Sequence, residues 1–196
     1  MTLEATGLDQ VHGLSVDQVG GARLAVRHLV ALGHERIAHV SGPLDWVEAR
    51  ARVAGYEAEL AASSLPVLAP LEGDWTAEAG FRLGTELLSA AEPPTAVFAA
   101  NDQLALGLLH AASKLGLSVP RDLSVVGFDD MPEAAHFLPP LTTVRQDFAE
   151  IGRRAMARIV SALEGRDAAA DDLIHPELIV RESTAAPRAG SMGREM

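Results

Sequence analysis

The sequence predicts an α/β fold, a mostly parallel sheet with helices on both faces. Three observations carry that prediction. Helical and short apolar patterns alternate along the chain, as they do in successive βα units. Two apolar runs end abruptly in polar pairs: Thr95–Ala100 delivers Asn101 and Asp102, and Leu123–Phe128 delivers Asp129 and Asp130. Hydrophobic residues make up 48% of the 196 positions but aromatics only 4%, so a substantial core must be filled by aliphatics and alanine. Ligands of open parallel sheets bind at the carboxyl ends of the strands. Two buried strands presenting polar residues at one edge therefore predict a small-molecule cleft.

Each element has its own signal. From Asp17 to Leu32 the residues Val19, Ala22, Leu24, Ala25, Leu29 and Leu32 recur at helical spacing, and Gly33 ends the run. Arg36–Ser41 reads as a strand, Val47–Ala62 as a helix and Val67–Leu71 as a short strand. Thr76 is placed to cap a helix running to about Ala90. Pro93 and Pro94 break the chain before the strand Thr95–Ala100. A helix follows from Asp102 to Leu115, with Asp102 the better N-cap, and Gly116 terminates it. Ser124–Phe128 is the last clear parallel strand. Thr142–Gln146 is extended, Phe148–Leu163 is a helix, Gly165–Asp172 a polar loop and Pro176–Arg181 a final strand. The tail from Ala185 has no periodicity and is expected to be disordered.

Bulk properties exclude several classes. A net charge of −11 and a pI near 5.0 disfavour direct attachment to phosphate backbones, which needs clustered Lys and Arg. The chain has no cysteine, hence no disulfide, thiolate nucleophile or thiolate metal site. The first residues lack a basic and apolar leader, and no apolar run approaches the roughly 20 residues that span a bilayer. A soluble, cytoplasmic protein is expected. Glycine-rich nucleotide loops, zinc-protease and nucleophile-elbow motifs are absent, and the seven histidines have no metal-ligand spacing. No enzyme, no catalytic residue, no metal and no cofactor are expected.

Ala100-Asn101-Asp102, Val126-Gly127-Phe128-Asp129-Asp130 and Pro139-Pro140-Leu141-Thr142-Thr143-Val144-Arg145-Gln146 resemble hallmark strings of the LacI/GalR transcriptional regulators. Gly33-His34, Ser41-Gly42, Arg52-Val53-Ala54-Gly55-Tyr56 and Gly73-Asp74-Trp75 extend the match, in order and in register. The resemblance implies a periplasmic-binding-protein-like (type I), Rossmann-like sensor core of two subdomains. Residues 17–145 and 176–184 then form a complete C-terminal subdomain, while 1–16 and 146–175 are a partial N-terminal one. The remainder of that subdomain and a helix-turn-helix headpiece would lie outside this chain. DNA contact is then expected only through that headpiece, and no membrane contact is expected.

The implied function is sensing of a small effector, a sugar above all; a sugar receptor of a transport system is the alternative. Asp129 can accept charge-assisted hydrogen bonds from adjacent sugar hydroxyls, although a carboxylate there also suits an Asx-turn. Asn101 can donate and accept at one hydroxyl, or serve the turn beside Asp102. Arg52 matches the family arginine that forks onto ligand hydroxyls; otherwise it pairs with Glu48 on the helix surface. Trp75, after Gly73-Asp74, is placed to stack on a pyranose, or is a core tryptophan. Phe148 and Gln146 sit at the subdomain crossover, Phe148 closing the pocket floor or simply packing. Glu4 aligns with an acidic residue of the opposite wall.

Family members pair through the helix after Asn-Asp and the loop after Asp-Asp. Leu104, Leu106, Leu108 and Leu109 wrap more than one face of that helix, and Phe137 and Leu138 lie in that loop. A two-fold homodimer through Leu106 and Phe137 is expected. No leucine heptad follows, so nothing larger is expected. The helix 148–163 carries Phe148, Ile151, Ala155, Ile159 and Leu163 on about one face, a stripe left exposed without the missing subdomain.

Overall fold

The computed structural model describes residues 14–164 and 172–188. Glu4, most of the first subdomain remnant, the 165–171 loop and the end of the tail fall outside the described residues. The elements in chain order are β1 (Leu14–Val16), α1 (Gln18–Ala31), β2 (Ile37–Ser41), α2 (Val47–Ala62), β3 (Leu71–Glu72), α3 (Ala77–Leu88), β4 (Ala96–Ala99), α4 (Asp102–Lys114) and β5 (Ser124–Asp129). A 3₁₀ turn (Pro132–His136), β6 (Thr142–Arg145), α5 (Phe148–Leu163), β7 (Asp172–Ile174) and β8 (Glu177–Ile179) complete them.

The main sheet has the order β3-β2-β4-β5-β6-β8. All its pairs are parallel except β6–β8, which is antiparallel. The parallel set thus extends one strand beyond β5, to β6, because Val126–Asp129 pairs with Thr142–Arg145. Every residue of β2 is buried, as expected where helices cover both faces. Side chains alternate between the two cores. Ile37, Phe98, Val126 and Phe128 face α1 and α2 with Tyr56 and Leu60. Val40, Val97, Ala99 and Val125 face α3 and α4 with Leu83, Leu104 and Leu108. Burying an aliphatic side chain this fully contributes roughly 1.5–3 kcal/mol each.

The described helices agree with the periodicity to within one or two residues, and α2 and α5 coincide with it. The strand expected at Val67–Leu71 is instead Leu71–Glu72. Pro66 and Pro70 lack the N–H that a ladder needs, so pairing starts only after the second proline. β1 and β7 pair with each other in parallel as a separate two-stranded sheet, on which α5 packs. Three segments pass between that pair and the main sheet: Asp17, Gln146–Asp147 and His175–Pro176. Asp17 N–H donates to Ile174 O at 2.9 Å and so ties two of them. No helix among the described residues is long and apolar enough to cross a membrane.

Candidate ligand cleft

The parallel strands all point their carboxyl ends to one edge. There the chain places Ser41 at the end of β2 and Gly42 after it, Trp75 after β3, Asn101 after β4, Asp129 at the end of β5 and Gln146 after β6. Arg52, on α2, reaches over this edge and is only 4% exposed. Its guanidinium lies on the Phe128 ring, 3.9 Å from the centroid, and 5.5 Å from that of Trp75. Nε donates to Gln18 Oε1 at 2.8 Å and Nη1 to the carbonyl of Ala100. Nη2 faces Asp129 Oδ1 at 3.7 Å.

These contacts close a ring of polar groups. Gln18 Nε2 donates to Gln146 Oε1 at 2.8 Å, and Gln146 Nε2 donates to Asp129 Oδ1 at 2.7 Å. Asp129 faces Arg52, and Arg52 donates back to Gln18. A buried cation is stable only when paired and hydrogen-bonded, and this ring supplies both. Burial pushes the Asp129 carboxyl up, while Arg52 and the Gln146 amide pull it down. Burial likewise lowers Arg52, against the opposing pull of Asp129. The arrangement presents a planar donor beside a carboxylate, the pair that vicinal hydroxyls can bridge.

Backbone strain gathers here. Of the non-glycine residues with positive φ among those described, Trp75 (70°), Asp129 (110°) and Asp130 (55°) lie at this edge and only Ser64 does not. The Trp75 ring lies so close over Gly42 that a Cβ there would fall 2.2 Å from it. Its Nε1 is buried with no acceptor among the described residues. Packing, not hydrogen bonding, therefore fixes this indole.

Several expectations are revised. Asn101, not Asp102, caps α4: extended at φ −148°, it accepts from Leu104 N–H at 2.8 Å. Its Nδ2 donates to Trp75 O at 3.1 Å, so the same side chain anchors the β3–α3 turn. Asp102 is the first helical residue and is buried at 1% exposure, its carboxylate turned toward β6 and the loop after β5, where it accepts from Thr143 Oγ1 at 2.6 Å and Met131 N–H at 2.8 Å. Burial drives its carboxyl up to about 7, with Asp129 and Asp130 adding to the shift against those two hydrogen bonds. Asp130 accepts from Arg145 Nε at 2.7 Å and Arg181 Nη2 at 2.6 Å. Arg52 is buried in the cleft and not on the helix surface.

Phe148 opens α5 and is 59% exposed. In the pairing region, Leu104, Leu108 and Leu109 are absorbed into the core, while Leu106 is 37% exposed. Phe137 packs partly on that core, and Leu138, 91% exposed, is the outward residue of its loop. Sequence reasoning did not find Gln18, because a lone glutamine after a helix cap has no signature. Phe128, the platform under Arg52, read only as an apolar strand residue.

A family model described as a periplasmic binding protein-like domain matches residues 26–184. The chain is 38% identical over 185 residues to the lactose operon repressor of Escherichia coli K12, covering 94% of this chain and 51% of that protein. It is 37% identical over 166 residues to the transcriptional repressor PurR of Mannheimia succiniciproducens, covering 83% and 50%. The chain thus spans about half the length of these curated relatives. Among solved structures, a dimeric Lac repressor with a C-terminal deletion superposes with a TM-score of 0.85 at 40% identity, covering 88% of this chain and 64% of that one. A Lac repressor dimer bound to operator and an anti-inducer gives 0.83 at 40%, covering 87% and 60%.

Proposed function

The chain belongs to the periplasmic binding protein-like domain family, in its LacI/GalR form, and from that premise we propose that it senses a small sugar for a transcriptional regulator. The observation that carries the reading is Arg52, buried between aromatic faces with Asp129 opposite. Arg52, Asp129 and Asn101 would hold the hydroxyls, Trp75 would cover the apolar ring face, and Gln146 would orient Asp129. Phe148 would reach the ligand only from across the crossover. The relatives named above are repressors and not enzymes. A role inside the cytoplasm and contact with DNA through a separate headpiece follow from the same reading. So does a homodimer through Leu106 and the Phe137–Leu138 loop. No observation favours a transport receptor.

Mechanistically, a sugar that binds one cleft arrangement more tightly shifts the population toward it by its differential affinity. The test is calorimetry of the purified chain against sugars and purines, repeated with Asp129→Ala and Arg52→Ala. Binding lost in both variants supports the cleft; binding of a hit unchanged in both overturns it.

A further inference from the structure

The Trp46 side chain makes its aromatic contact with Trp75. It occupies the N-cap position of α2, where Ser, Thr, Asp or Asn would cap the helix, and it makes no side-chain cap. It is also 53% exposed, so much of its apolar surface remains in water. Yet its location is built. Trp46 N–H donates to Pro43 O, Leu44 N–H to Glu72 Oε1 at 2.9 Å, and Arg50 Nη1 to Leu44 O at 2.7 Å. This tied loop sets the Trp46 indole edge-on to Trp75, with centroids 5.9 Å apart and planes at 74°.

We propose that Trp46 adds to Trp75, the wall for the sugar ring, an outer aromatic wall for a second ring carried by that sugar, so that the effector is a ring-bearing glycoside. The inference rests on the cleft being a sugar site. Trp75 is the fixed wall, wedged over Gly42 and in reach of the Arg52 guanidinium. Trp46 is the outer wall, continuous with it and open to solvent. Two indole planes near a right angle suit two rings joined through a glycosidic atom, which holds them out of one plane. A single sugar ring would cover one wall and leave the other in water. Carboxylates outnumber arginines in these segments, with Asp45, Glu48, Glu72 and Asp74 against Arg50 and Arg52, which favours a neutral second ring over a phosphorylated one. An aryl group, a second sugar and a nucleobase share this chemistry.

Trp46 and Trp75 are the chain's only tryptophans, so intrinsic fluorescence of the whole chain reports on this corner alone. Methyl and phenyl β-glycosides of galactose and of glucose, lactose and adenosine are titrated, with calorimetry in parallel. The expected result is at least one ring-bearing ligand binding about tenfold more tightly than the matching methyl glycoside, the scale of one stacked face. That ratio falls to near one in Trp46→Ala and is recovered in Trp46→Phe. Equal affinities in the unaltered chain, or a ratio that Trp46→Ala leaves intact, overturn the subsite but not the sugar cleft. A chain that binds none of the panel overturns both.

Discussion

Arg52 serves four neighbours at once: Gln18, the Ala100 carbonyl, Asp129 and the face of Phe128. Only a planar, five-donor group can do so, because an ammonium is a point charge without a face. Arg52→Lys is therefore expected to keep the charge and the fold but weaken binding of any effector found by more than about tenfold; calorimetry against urea unfolding separates the two effects. Asp102 makes a different prediction. Folding raises its carboxyl from an ordinary 3.8 to about 7, so the folded state favours the protonated form. Its contribution is full below the unfolded value and is lost as pH rises through about 7. Asp102→Asn is expected to flatten the decline in urea midpoint between about pH 4 and pH 7, the two values that bracket the shift. At this scale the sequence was partly legible. Arg52 stood out through its match to a family motif. The exchange of roles between Asn101 and Asp102 did not, because both residue types cap helices well and only the position of Thr143 and Met131 decides between them.

Among elements, the closest packing is between α3 and α4. Gly80 and Gly107 let the two backbones touch: a Cβ on Gly107 would lie 2.0 Å from Ala77 O, and one on Gly80 would lie 2.2 Å from Leu104 O. Backbone atoms cannot swing aside as a side chain would, so the helices would have to part. Gly107→Ala is expected to destabilise the protein by about 1–3 kcal/mol despite alanine's better helix propensity, read from the urea midpoint. The elements legible in the sequence were the helices and the strands of the main sheet. Helices of 12–16 residues hold several turns of periodicity, and their bounds followed from it. β1 and β7 have three residues each, too few for a pattern of period two to register.

For the whole molecule, surface composition sets the predictions. α5 buries none of its residues, and Phe148, Met156, Ile159, Val160 and Leu163 all stand in solvent. A helix whose amphipathic stripe rests only on the small two-stranded sheet is held by little beyond its own hydrogen bonds. Its amides are expected to exchange hydrogen much faster than those of α1 and α4 when the chain is a monomer; strong protection there would refute this. Leu106→Asp is expected to turn a dimer into monomers by light scattering, since a carboxylate at a two-fold contact meets its own copy. An unchanged dimer would rule that contact out.

The three crossing segments have a mechanical consequence. A panel hung on one strap twists freely, whereas one hung on three straps is held to fewer motions. Gln18 follows one strap directly and Gln146 lies on another, and the hydrogen bond between them joins the ring around Arg52 and Asp129 to both. A molecule pulling on Asp129 would therefore be felt, through Gln146 and Gln18, at two of the three segments that carry the small sheet.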